Sequence, residues 1–430
     1  PADPKAAALW RTVVSASPKA AALQGNFHLV EPLLWADDDP ALGQTLPADG
    51  ADLAALGLPA IAQDTERGTL IARTGWDKNA AYLQLENRVD SVGASHEHAD
   101  RGHFSFAALG RVWAKDNFRS IETRHHNSVL IDGHGQGYWP GPGRWLGVER
   151  HPNLLVTALD AKDAYDWFWP KQILAENPDT FPRFAQKRWR DYGPQARDFQ
   201  ASLGGLVGER DPRPAVAAFW QGFETGAPRL WDEDSWPVRY PHNPVQRAFR
   251  TLAFSTGAEP WVLVVDDIQK DDRERLYEWL MQTGPDTELV SAAGTDLVLG
   301  DASLPRDAEG RHRPKKGDRL LLVRVLHQAE PARPLDYPSR PSARLESFER
   351  RDTLVPGGRS FGLDKRLVVA ARAVAPDFKI LLYPHRHGDP LPTTTWSEDR
   401  SRLTVSTPSG QTTLALSRDP SGRTLLSPIK

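Results

Sequence analysis

The 430-residue chain has no cysteine and a single methionine. Without cysteine there is no disulfide framework, no thiolate nucleophile and no thiolate metal site. A thiol-free chain suits a periplasmic or secreted protein, which is the expected location. Long hydrophobic runs are also missing. The longest, 261–265 and 320–323, fall far short of the roughly 18 consecutive apolar residues that a membrane-spanning helix needs, so no membrane partner is expected. An excess of one charge is absent as well. The 53 basic and 56 acidic residues are interspersed and leave a formal net charge of −3, with no basic block of the kind that tracks nucleic acid. No signal peptide is visible, and Pro1 stands where Met would open a gene product, which implies that the natural N-terminus has been removed.

What remains is an ordinary globular composition, 40% hydrophobic and 25% charged, in a chain too long for one core. Residues 4–9 and 18–23 both read PKAAAL, placing proline ahead of strong helix formers and predicting one or two short helices. Residues 36–65, rich in Asp, Pro, Gly and Ala, read as a connector. From Gly68 onward the pattern becomes short alternating runs: 69–74, 81–85, 102–108, 128–132, 261–266, 277–282, 319–327, 366–374, 379–383, 402–407 and 412–416. Strands at that spacing, with few helical patterns between them, predict a mainly β fold of stacked antiparallel sheets, a β super-sandwich with a short helical remnant before it. The expected divisions are 1–65, helical remnant and linker; 66–335, a central β-sandwich domain; and 336–430, a smaller C-terminal β-sheet domain. Residues 158–245 break the periodicity and read as an aromatic insertion over one sheet face. Many of the 15 tryptophans fall in or near it. Flat rings suit sugar faces as well as cores, and Trp169 is the candidate for sugar contact.

Chemistry concentrates in residues 95–133, SHEHADRGHFSFAALGRVWAKDNFRSIETRHHNSVLIDG. Of the chain's 13 histidines, His96, His98, His103, His125, His126 and His134 lie in or beside it. On a strand, His96 and His98 would share a face. A turn near Gly110 would return the chain to Asp116, and His126 would open the next strand. Adjacent antiparallel strands would then gather His98, Asp116 and His126 into a two-histidine, one-carboxylate set suited to zinc, with a further histidine or water completing a tetrahedron. Arg101, Arg119 and Arg124 are close enough in sequence to clamp an acid group, and His125 sits beside them as a further substrate-binding candidate.

The spacing H-x-H-x-D-x-G-x-F at His96, His98, Asp100, Gly102 and Phe104 resembles the heparinase II/III type of polysaccharide lyase. So do the strand leading to Asp116, the H-N-S-V-L-I-D-G run from His126 to Gly133, the lead-in Arg73-Thr-Gly-Trp76 and the later Val-Val-Asp-Asp strand at 264–267. The resemblance implies a zinc ion of mainly structural role on His98, Asp116 and His126, with Asp100 orienting the ligands. It further implies a catalytic or substrate-orienting His96, and β-elimination on a uronic-acid polysaccharide. Members normally carry an α/α toroid before the sheets that supplies a catalytic tyrosine. At most its last helices fit within residues 1–25, so a separate or missing toroid segment is the expected partner besides the anionic polysaccharide. Tyr82, Tyr138, Tyr165 and Tyr192 are alternative tyrosines, and nothing in the sequence selects one.

Three other readings have less support. A metallo-β-lactamase signature breaks at Arg101. A cupin-like metalloenzyme lacks its glutamate after the histidine pair, where 102–105 read Gly-His-Phe-Ser. A non-catalytic carbohydrate-binding β module would use the metal only to pin two strands.

Overall fold

The computed structural model describes residues 59–65, 67–89, 98–117, 120–136, 142–166, 245–331, 342–351 and 359–429. The expected N-terminal helices, and nearly all of the 158–245 insertion, lie outside these residues. Strands are numbered in chain order. A five-stranded sheet is formed by β1 (Ile61–Asp64), β2 (Thr69–Arg73), β3 (Tyr82–Glu86), β4 (His103–Ala108) and β5 (Arg111–Ala114), in that order. An eight-stranded sheet follows the order β12-β13-β14-β17-β10-β9-β8-β7. Its members are β7 (Arg144–His151), β8 (Leu154–Asp160), β9 (Arg247–Ser255), β10 (Val262–Gln269), β12 (Thr287–Ala293), β13 (Asp296–Asp301), β14 (Arg319–His327) and β17 (Phe378–Arg386). A four-stranded sheet joins β15 (Ala343–Arg351), β16 (Ser360–Ala373), β11 (Arg275–Gln282) and β6 (Val129–Ile131). The last sheet is a meander of β18 (Thr393–Trp396), β19 (Arg402–Thr407), β20 (Gly410–Arg418) and β21 (Thr424–Ile429). One short helix, α1 (Lys162–Asp166), follows β8.

The eight-stranded sheet is the middle layer, and its sequence explains why. All eight residues of β10 are buried, and successive side chains serve two different cores, as the two-residue period of a strand requires. Val262 and Val264 join a core with Phe104 and Phe106 of the five-stranded sheet and Trp279 and Val369 of the β15-β16-β11-β6 sheet. Leu263 and Val265 join a second core with Leu403, Val405, Leu414 and Leu426 of the meander. β17 behaves alike: Ile380 and Leu382 face the first core, Leu381 and Tyr383 the second. Each such fully buried aliphatic side chain contributes roughly 1.5–3 kcal/mol.

The expected mainly β fold of stacked antiparallel sheets is what the structure shows. Within the expected 336–430 unit, β16 and β17 pair with β11 and β10 of the central stretch, and β15 joins the same sheet through β16. The meander starting at Thr393 is the part of that stretch that forms its own sheet.

Candidate metal centre

Three separate segments build the site. His98 lies in irregular chain five residues ahead of the β4 start at His103, not on a strand as the sequence suggested. Gly102 takes φ +81°, which sharpens the turn into β4, and a Cβ there would meet Leu159 Cδ1 at 3.2 Å. Leu109 and Gly110, both at positive φ, make the tight hairpin turn into β5, which delivers Asp116 two residues past its end. A 3-10 turn at Thr123–His125 then presents His126 ahead of β6.

One ligand atom from each of His98, Asp116 and His126 lies within 4.8 Å of the others. His126 Nδ1 is 2.7 Å from Asp116 Oδ1, and the two imidazole centroids are 5.0 Å apart. His126 is fully buried, His98 half-buried, and the Asp116 side chain 41% exposed. The buried His126 Nε2 has no hydrogen-bond partner. An orphaned buried nitrogen beside a second imidazole and a carboxylate fits a divalent transition metal, and the N,N,O donor set suits zinc. The metal's identity is not fixed by the donors alone.

Electrostatics match a preassembled acceptor. Burial acts against the Asp116 carboxylate, but the neighbouring His126, His103 and His98 rings outweigh it and hold its pKa well below the usual range. Burial acts against the charged His126 ring, and Asp116 outweighs it, raising the ring to about 9. Without metal the two form a buried imidazolium–carboxylate pair, so a metal must displace a proton to bind.

Around the ligands stands a polar frame. His103 Nδ1 accepts the Asn127 backbone N–H at 3.0 Å, which places the ring proton on Nε2. That nitrogen faces Ser105 Oγ at 3.1 Å and Asp116 Oδ1 at 4.0 Å. Burial drops the His103 pKa to about 3, so the ring is neutral; its Nε2–H goes to Ser105 Oγ, with the Asp116 carboxylate facing the same edge. Asn127 donates to the carbonyls of Phe104 (2.6 Å) and Lys115 (3.1 Å) and accepts the Gln282 N–H (2.5 Å). Gln282 donates to the carbonyls of Arg124 and His126 at 3.1 and 3.2 Å. Beneath them Arg250 forks onto Asp266 (Nε–Oδ1 2.7 Å, Nη2–Oδ2 2.8 Å) and donates Nη1 to the carbonyls of Gly102 and Asn127.

The other expected site residues are placed as follows. His96, Arg119 and Trp169 lie outside the described residues, as do Tyr138 and Tyr192. Arg124 is exposed, two residues before His126. The sequence reading took Arg101 and His125 as substrate-binding candidates, and the structure buries both side chains. Arg101 is 1% exposed and adjoins Asp100 at 3.4 Å. His125 is buried, with Nε2 3.2 Å from Glu122 and its ring against Phe348. Asp100 is buried, and burial with Glu86 nearby pushes its carboxyl up to about 8. Tyr165 is buried and donates its hydroxyl to the Val129 carbonyl at 2.6 Å, whereas half-exposed Tyr82 donates to Gln84 at 2.7 Å. Sequence reasoning missed His103, Asn127, Arg250 and Gln282. Signals for three of the frame residues were present: His103 in the histidine cluster, Asn127 in the H-N-S-V-L-I-D-G run and Asp266 in the Val-Val-Asp-Asp strand.

No family model matches the sequence, and no curated protein matches it. Among solved structures the chain is similar to the heparan sulfate lyase HepC from Pedobacter heparinus, at 14% identity and a TM-score of 0.48, over 94% of this chain and 48% of that one. It is also similar to a heparinase III, at 10% identity and a TM-score of 0.45, over 82% of this chain and 42% of that one. The chain thus spans less than half the length of either structure.

Proposed function

We propose that this chain is the β-sheet portion of a polysaccharide lyase that cleaves an anionic, uronate-containing polysaccharide by β-elimination, with a structural zinc ion on His98, Asp116 and His126. The observation that carries the reading is the convergence of those three side chains, supplied by the two sequence runs that resemble heparinase II/III-type lyases. The proposed location is periplasmic or secreted.

Each residue's part follows from chemistry. Elimination needs the uronate carboxylate neutralised, the C5 proton removed and the departing O4 protonated. Exposed Arg124, with Arg119, would clamp the carboxylate. His96, two residues before a ligand, would meet the C5 proton as base or orient the ring, held in place because His98 is fixed. Trp169 would stack on a sugar. Arg101 and His125 would support this surface from below. The metal, when bound, cross-links the segments around His98, Asp116 and His126 and neutralises the carboxylate. The toroid would supply the tyrosine that protonates O4.

The test combines metal content and turnover. After exhaustive dialysis, purified protein should retain about one zinc per chain, and His98→Ala should lose it. With a toroid supplied, uronate polysaccharides should yield an unsaturated product detected by ultraviolet absorbance, and His96→Ala should abolish that product while keeping metal and fold. Polymer retardation in an affinity gel without any unsaturated product would replace the lyase reading with a carbohydrate-binding module.

A further inference from the structure

On the opposite face of the eight-stranded sheet from the metal cluster, a cleft of about 250 Å³ opens where the meander packs on β14 and β17. Its floor carries a chain of polar contacts. Asp377 Oδ1 receives Lys379 Nζ at 2.7 Å and Arg418 Nη2 at 2.6 Å, and Asp377 Oδ2 lies 3.2 Å from His327 Nε2. Arg418 is held further by the buried Asp267 at 3.4 Å. The other ring nitrogen of His327 faces Arg400 Nη1 at 3.3 Å. Because a guanidinium only donates, His327 Nδ1 is the acceptor and Nε2 carries the proton toward Asp377.

Among the described residues no carboxylate pairs with Arg400, whose one polar side-chain contact is His327 Nδ1, so most of its donors are uncommitted. Asp399 beside it is occupied within its own turn, by Ser397 Oγ at 2.5 Å and by Ser401 N and Oγ at 3.0 and 2.7 Å. Arg400 also adopts φ +55°, and Asp377 φ +50°. That backbone region costs a residue with a Cβ about 1–2 kcal/mol, and left-handed strain of this kind gathers at ligand sites. In the same cleft Trp396 and Leu416 pack partly into the second core and also line the opening.

We propose that this cleft is a second saccharide subsite, which takes a uronate ring of a polysaccharide chain with Trp396 against the sugar and Arg400 on its carboxylate. An aromatic surface beside an uncommitted planar fork is the pairing that a carboxylated pyranose needs, apolar C–H face and acid group together. Its volume, just under the roughly 300–1,000 Å³ of drug-sized pockets, suits one unit of a longer ligand. The choice of ligand rests on the uronate-polysaccharide reading above, but neither the metal nor cleavage enters the subsite's recognition.

The experiment is a nuclear magnetic resonance titration of the chain, with the Trp396 indole N–H assigned through Trp396→Phe. The probes are hyaluronan tetrasaccharide and tetragalacturonate, each with its carboxyl-reduced counterpart, and inorganic sulfate. The Trp396 signal should shift saturably with at least one acidic tetrasaccharide. Arg400→Gln, a change on an exposed loop, should weaken that binding about tenfold, and carboxyl reduction should do the same. A Trp396 signal that moves with neither acidic probe overturns the subsite. So does an equal response to the reduced sugars, which removes the carboxylate from recognition, or to sulfate, which leaves a general anion site. Loss of lyase product with the Trp396 response intact would instead fail the function proposed above and leave the subsite standing.

Discussion

The middle of the eight-stranded sheet and the corner around His126 are both buried, yet they are held by opposite means. In the 262–265 stretch of β10 and the 380–383 stretch of β17 every side chain is hydrophobic and buried, and successive residues alternate between two cores. Around His126 the backbone is irregular, and Asn127, Gln282 and Arg250 donate to its carbonyls while His103 accepts the Asn127 N–H. Apolar packing spreads its stabilisation over many small contacts, so one change is absorbed in part. A polar frame concentrates it, because removing one donor leaves a buried acceptor with nothing in return. The corner is therefore the more brittle region and also the more exact in placing ligand atoms.

The largest expected effect breaks the corner from below. Arg250→Ala leaves buried Asp266 unpaired and should cost about 3–5 kcal/mol in denaturant unfolding. An Arg250→Met, Asp266→Leu pair should recover only part of that, since the carbonyls of Gly102 and Asn127 still lose their donor. Full recovery would show that the ion pair alone mattered and would erase the contrast drawn above. Next comes the apolar layer. Leu263→Ala should cost about 2–5 kcal/mol while leaving metal affinity unchanged, which a zinc titration of the folded variant would check. Altered affinity there would mean that the two regions are not separable.

Metal sharpens the comparison further. Zinc at a hundred times its dissociation constant should stabilise the wild type by about 2.7 kcal/mol, and His98→Ala should lose that gain with little change in metal-free melting. A zinc-induced rise that survives in His98→Ala would remove this residue from the ligand set. The metal-free pair has its own pH signature. His126 is raised above its unfolded value near 6.5, so its contribution is complete below that pH and fades as the pH climbs through about 9. Zinc uptake at neutral pH should accordingly release protons, visible as a buffer-dependent calorimetric enthalpy. A buffer-independent enthalpy would argue that His126 is already neutral.

The smallest effect lies at the second cleft. Burial acts against Asp377, but His327, Lys379 and Arg418 outweigh it and depress its pKa. Its contribution is complete above the unfolded value near 4 and shrinks progressively as the pH falls from there toward the depressed folded value. The melting difference between wild type and Asp377→Asn should hold at neutral pH and narrow steadily below about pH 4, and a gap that does not narrow in acid would refute the assignment.

Much of this was legible in residue order. Alternation exposed β2, β4 and β19 nearly to the residue, because one-sided burial writes itself as a two-residue period, whereas β14, buried on both faces, was legible as a short apolar run. β7, whose positions are all half-buried or exposed, and β15, at a sheet edge, carried no such contrast and went unread. The ligand trio was legible because histidines are rare and the hairpin at Leu109–Gly110 is short. Its frame was not. Arg250 and Gln282 lie 123 and 155 residues beyond Asn127, and nothing local marks an arginine that will end inside a core. Burial of Arg101 and His125 was hidden for the same reason, since both read as surface residues until the sheets close over them.

The Arg250 fork also sets an order of events. A chain made from its N-terminus delivers His98, Asp116 and His126 well before the residue that fastens their loops together, since Arg250 trails Gly102 by 148 positions. During that interval the ligands hang on a nascent segment free to pick up the wrong ion or the wrong neighbour. Only when β9 and β10 arrive and the Arg250–Asp266 pair forms does the corner acquire its shape. A metal bound at this corner would thus owe its selectivity to the finished fold and not to the ligand segment, and a peptide of residues 95–133 alone should hold zinc far less tightly than the whole chain would.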